Sequence, residues 1–290
     1  MMMRETGKRI VTALLCVMLL VCLLPVTAHA DTGPKPSVEI TIENMDGRVC
    51  YGTLLSSTES TGPASVWDGS EESIQDYGDN HSVWQAFAEY KDADGFFFLQ
   101  QYWRCDEIKG FTWGYHPPQT FKILLYYPET GEFVSSGVLE RYAFDSYYTA
   151  NLADGAMTVR RSFNYTAQIV GLVGRMVITI LIELGVALLF SFREKKLLGL
   201  ITVVNVVTQL ALNAALNAIY NAEGPWAALI FYIPLELLVI IVEAVVYGIT
   251  FRRAVERKIS VGKIVLYALA ANVASFVIGW VIARFVPFLF

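Results

Sequence analysis

Histidine is scarce in this chain, with three residues in 290: His29, His81 and His116. None lies in a long apolar run, so no HExxH pair and no metal-ligand cluster is present in the sequence, and G-x-S-x-G is missing as well. These absences point away from zinc hydrolases, intramembrane metalloenzymes and nucleophile-elbow hydrolases. The expectation is a protein without catalysis, metal or cofactor.

Cysteine is nearly as rare. Cys16 and Cys22 lie near the N-terminus, leaving Cys50 and Cys105 as the only two beyond it. Neither belongs to a CxxC motif, and the pair reads either as one disulfide or as two separate buried thiols. Basic charge is also sparse between residues 31 and 165, where 9 Lys and Arg face 20 Asp and Glu. Nucleic acid is excluded as a partner for so acidic a block.

Apolar residues, by contrast, are abundant. They make up 54% of the chain and give a mean hydropathy of +0.45, above ordinary globular values. The excess collects in residues 10–24 and in four later runs.

The first run fits an export signal. Arg4, Lys8 and Arg9 precede it, and Ala28-His29-Ala30 supplies an A-x-A cleavage pattern. The expected signal peptide covers residues 1–30, and residue 31 then starts outside the cytoplasm.

The later runs, at 176–192, 197–219, 226–250 and 264–286, approach or exceed spanning length. Their connections differ in charge. Arg193, Lys195 and Lys196 crowd the first, only Glu223 charges the second, and Arg252, Arg253, Arg257, Lys258 and Lys263 crowd the third. Positive-inside bias puts the first and third connections in the cytoplasm, with the N-terminal domain and the C-terminus both outside. Export and loop charge demand the same orientation. The expected location is a bacterial plasma membrane, with the lipid bilayer and either a membrane protein or a second copy as partner.

Polar side chains within these runs form the candidate site. Charged groups at bilayer depth cost at least about 2.5 kcal/mol, so Glu183, Glu236 and Glu243 should avoid lipid. Asn205, Gln209 and Asn213 recur every four residues along one face, joined by Asn217, while Asn272 and Ser275 share a face of the last run. Counting from run midpoints predicts one polar layer across the bundle. Interhelical hydrogen bonding, a proton or cation path, and a groove for lipid or partner all fit such a layer.

Residues 31–165 predict a small α+β domain. Val38, Ile40 and Ile42 alternate, Met45-Asp46-Gly47 turns, and Val49, Tyr51, Thr53 and Leu55 alternate again, the pattern of a β-hairpin. Ser82 to Gln85 resembles a capping box before a short helix bearing Val83, Trp84, Phe87 and Tyr90. Strands are expected around residues 96–103 and over 121–127, the latter turning through Pro128 to Gly131 into a partner at 132–140. Residues 57–80 read as a surface loop. Asp92-Ala-Asp94-Gly95 holds part of a calcium-loop pattern, outweighed by a plain turn. Tyr142 to Tyr148 is aromatic-rich, suited to a headgroup contact or to the core.

The expected fold is therefore an α+β extracytoplasmic domain, with an antiparallel sheet and one short helix over 31–165, followed by an all-α four-helix transmembrane bundle over 166–290. The expected function is a membrane-anchored extracellular binding, sensing or assembly module of a bacterial envelope. The alternative is a small proton- or cation-conducting transporter that uses the intramembrane carboxylates.

Overall fold

A computed structural model describes residues 33–69, 81–153, 155–255 and 258–285. The expected signal at 1–30 and part of the 57–80 loop lie outside the described residues. Two units are present, one over residues 34–164 joined by 221–224 and one holding the long helices.

The N-terminal unit is built on two sheets. One has the order β10-β9-β1-β5, with β1 Ser37–Glu43, β5 Gly110–Trp113, β9 Asp145–Ala153 and β10 Ala156–Arg161. The other runs β3-β2-β6-β7, with β2 Tyr51–Ser56, β3 Phe97–Phe98, β6 Thr120–Tyr127 and β7 Glu132–Ser135. To it, β4 (Trp103–Arg104) adds on β2 and β8 (Leu139–Glu140) adds on β6.

The hairpin expected over residues 38–55 does not form. β1 pairs instead with β5 antiparallel and with β9 parallel, Val38 opposite Ser146 and Ile42 opposite Ala150, while β2 belongs to the other sheet. The first sheet is therefore mixed rather than antiparallel. Alternation on both sides of Gly47 records a buried face for each strand, and period 2 carries no information about which strand pairs with which. Gly47, at φ +83, still makes the turn, but as a crossing between sheets.

The shared core explains why β1 alternates. Val38, Ile40, Phe111 and Trp113 from one sheet meet Leu54, Phe121, Ile123 and Leu125 from the other, all with 2% exposure or less. Burying each such side chain stabilises by about 1.5–3 kcal/mol. Tyr148 joins this core edge-on to Phe121, so the aromatic-rich segment is interior at that point.

The helix α1, His81–Glu89, covers the far face of the second sheet through Val83, Trp84 and Phe87, packed on Leu55, Phe98 and Leu124. Ser82 lies within the first turn of that helix rather than before it. Covered on both faces, β2 and β6 are buried almost without interruption, whereas β1 alternates.

The hairpin from β6 to β7 forms as its turn chemistry requires. Tyr127 stands opposite Glu132, and the amide of Gly131, at φ +70, donates to the Tyr127 carbonyl.

Four long helices follow: α2 Tyr165–Leu189, α3 Lys195–Glu223, α4 Pro225–Ala254 and α5 Val261–Ala283. Each is long and apolar enough to cross a membrane, which marks a multi-pass membrane protein. The first begins eleven residues before the apolar run at 176–192 and ends at Leu189. Ser260 caps α5, its hydroxyl accepting from the Lys263 amide. Pro234 sits inside α4 without ending it.

Candidate functional site

The amides of α3 form a ladder with α2. Asn217 Nδ2 donates to Gln168 Oε1 at 3.2 Å, Arg175 donates to Asn213 Oδ1 at 3.1 Å, and Asn205 Nδ2 donates to Glu183 Oε2 at 2.6 Å. Numbers rise along one helix as they fall along the other, as antiparallel neighbours require. Spacing of four keeps these amides on one face, and that face meets α2 rather than lipid.

The ladder ends in a cluster drawn from all four helices. Glu183, Asn205, Glu243 and Tyr247 are fully buried, Asn272 is 5% exposed and Thr208 is 7% exposed. Besides Glu183, the Asn205 amide lies 3.2 Å from both the Ile201 carbonyl and the Tyr247 hydroxyl. A carbonyl only accepts, so this contact fixes which atom of Asn205 is nitrogen. Asn272 is fixed in the same way by the Ala268 carbonyl, and its amide donates to Glu243 Oε2 at 2.7 Å.

Thr208 joins the two halves. Its hydroxyl lies 2.8 Å from Glu243 Oε1, 3.0 Å from the Val204 carbonyl and 3.2 Å from the Asn205 carbonyl. One hydroxyl proton faces three acceptors. If it points to Glu243, that carboxylate takes two hydrogen bonds while ionised. If it turns back to Val204, the Thr208 oxygen is free to accept a proton carried on Glu243. Either arrangement is satisfied without moving a side chain.

Glu183 is less complete. Among the described residues its Oε1 and the Oδ1 of Asn205 are buried acceptors without a hydrogen-bond partner, and the Ser275 hydroxyl is likewise unpartnered. Two orphan acceptors on a hydrogen-bonded pair are costly, about 1–3 kcal/mol each. No Lys, Arg or His hydrogen-bonds to either carboxyl among the described residues.

The sequence-level candidates do not all converge. Glu183, Asn205, Glu243 and Asn272 come together. Glu236 is half-buried, two turns from Glu243 on the same helix, and hydrogen-bonds Tyr232. Gln209 is buried, and its carbonyl accepts from Asn213, which pairs with Arg175 higher on the ladder. Thr208 was missed, although its spacing of three from Asn205 puts it on the same face. Tyr267, also missed, is fully buried and donates to the Glu183 carbonyl at 3.4 Å.

An aromatic layer closes the cluster toward the end of the bundle that carries the basic connections. Phe192, Phe251 and Tyr267 are fully buried, with Phe192 5.2 Å from Phe251 and 5.3 Å from Tyr267 between ring centroids. Tyr247 packs on Phe251 at 4.9 Å, so one ring belongs to both layers.

In the N-terminal unit, Asp92 and Asp94 bind a side chain rather than presenting an open cation site. Lys122 Nζ lies 2.8 and 2.9 Å from the Asp92 oxygens and also reaches Asp94. The Asp94 and Phe96 amides donate to Asp92 as well, forming the turn. Burial alone would raise the Asp92 carboxyl, but Lys122 and these amides outweigh it and hold it below the usual carboxylate range.

Cys50 and Cys105 are both buried and are not bonded to each other in this structure. The Cys50 thiol donates to the Tyr51 carbonyl at 3.8 Å and the Cys105 thiol to the Trp103 carbonyl at 3.3 Å, and the neighbouring Cys50 side chain together with burial pushes the Cys105 thiol up. No protein-family model, no curated protein and no solved structure matches the chain.

Proposed function

We propose that the chain is a multi-pass protein of a bacterial plasma membrane, exported at its N-terminal domain, whose bundle passes protons through the Glu183 and Glu243 carboxyls. The observation that carries this reading is the Thr208 hydroxyl, set between Glu243 and two backbone carbonyls so that the carboxyl is satisfied with or without a proton. Interhelical adhesion alone accounts for the amides, at about 0.6 kcal/mol per pair. It accounts poorly for two acids without a cation partner, which are expensive in a bilayer.

Loop charge supports the orientation, with the basic connections in the cytoplasm. In that orientation the polar ladder leads inward from the outer surface, and the aromatic layer is the cytoplasmic barrier that passage must open.

A second reading, an exported binding or sensing module held by an inert bundle, is favoured by a groove of about 350 Å³. Trp67, Tyr90, Asp92, Phe96 and Phe98 line it.

Proteoliposomes separate the two. With a trapped pH dye and a potassium diffusion potential, the wild type should acidify or alkalinise the lumen faster than protein-free vesicles. E243Q should lose that flux, and E89Q, altered on an exposed acid of α1, should keep it. Wild-type flux equal to empty vesicles would overturn the proton reading and leave the binding module.

A further inference from the structure

Cys50 and Cys105 are cross-strand neighbours. β2 and β4 pair antiparallel with Gly52 opposite Trp103 and Tyr51 opposite Arg104, and the next step of that ladder sets Cys50 opposite Cys105. The Cys105 amide donates to the Cys50 carbonyl at 2.8 Å. Directly opposed residues in an antiparallel pair hold their Cα atoms about 4.5–5.5 Å apart, inside the roughly 4.4–6.8 Å that a disulfide spans.

The side chains converge as the backbones do. Both residues have no solvent exposure, and both sulfurs lie in the same buried core. Space for the Cys105 sulfur depends on Gly52, where a Cβ would lie 2.8 Å from it and 2.6 Å from the Phe111 ring. The Cys105 sulfur thus has its place only because residue 52 carries no side chain.

We infer that Cys50 and Cys105 are joined by a disulfide in the exported protein, closing the loop that carries α1 and the Asp92 turn. The inference rests on export of this domain, and it is independent of proton passage through the bundle. The chemistry needs an oxidant, here a disulfide-donating thiol oxidoreductase of the envelope. The Cys50 thiolate attacks a sulfur of the donor disulfide and forms a mixed disulfide. Cys105 then loses its proton, displaces the donor sulfur and forms the Cys50–Cys105 bond, and the donor leaves as a dithiol carrying two electrons. Since neither sulfur reaches solvent, exchange must precede closure of the two sheets. Once closed, the bond should resist reductants until the domain unfolds.

Peptide mapping tests this. Trypsin cuts after Arg48, Lys91, Arg104 and Lys109, so each cysteine falls in its own fragment, residues 49–91 and residues 105–109. Full-length protein from native membranes, alkylated and digested without reductant, should yield these two fragments linked and lighter by two hydrogens. Reduction in denaturant should separate them. A matched sample refolded with oxidised glutathione tests the geometry apart from the compartment. A link in both samples supports the inference. A link only after refolding refutes export, and with it the inference, while no link in either sample refutes the pairing itself. C50A should abolish the linked species and leave Cys105 alkylated without reduction. If C50A does not fold, the wild-type map still decides.

Discussion

Asn205 Nδ2 lies 2.6 Å from Glu183 Oε2, across the contact between α3 and α2, and donates as well to the carbonyl one turn before it. A single amide thus holds a carboxyl away from lipid and ties it to its own helix. N205L should strand Glu183 and destabilise the bundle by about 1–3 kcal/mol. The double variant N205L/E183L, which removes both polar partners, should recover most of that loss. Thermal unfolding in detergent, followed by circular dichroism, checks the order: wild type and double variant close together, single variant lowest. A double variant no better than the single would show that the contact is not the source.

Lys122 and Asp92 make a corresponding pair in the N-terminal unit, with side chains 6% and 3% exposed. Breaking a buried pair from one side is expensive, because the remaining charge loses its counter-ion. K122M should cost about 3 kcal/mol, and K122M/D92N should cost less than K122M alone. Urea unfolding followed by tryptophan fluorescence measures both. Equal stability of K122M and wild type would mean that Asp92 is adequately solvated without the lysine.

The same carboxyl sets an acid response. Asp92 is held below its usual range when folded, so its contribution is fully present above the unfolded value of about 3.9 and is lost as pH falls through the folded value. The urea midpoint should therefore fall as pH drops below about 4, and more gently in D92N. Asp46 and Asp106 are also held low by neighbouring arginines, so D92N should reduce the slope without removing it.

Much of this was legible in the sequence, and the failures have a common cause. Four helices follow from apolar runs of spanning length, and α1 from Val83, Trp84 and Phe87 on one face. The turn at residues 128–131 identified β6 and β7 through local chemistry. β1 defeated sequence reading because its partners are over a hundred residues away at Asp145–Ala153 and about seventy away at Gly110–Trp113. Alternation reports burial and is silent on pairing. In the bundle, acids and amides stand out by type. Thr208 does not, since a threonine hydroxyl can return its proton to its own helix and so sits unremarked in apolar runs. Glu236 shares a face with Glu243, yet two helical turns separate them and put Glu236 beside Tyr232.

Orientation has its own test. Glu223 and Lys195 are exposed at opposite ends of α3. E223C should react with a membrane-impermeant maleimide in intact cells, and K195C only after permeabilisation. The reverse pattern would invert the topology and place the polar ladder on the cytoplasmic side.

Proton occupancy of the buried carboxyls is the central claim, and infrared difference spectroscopy reads it most directly. Comparing wild type with E183Q and E243Q across pH should reveal a carbonyl stretch of a protonated carboxylic acid that changes with pH and is altered in each variant. Spectra in which neither variant changes any protonated-acid band would contradict the account, leaving Glu183 and Glu243 as permanently charged groups that only bind helix to helix.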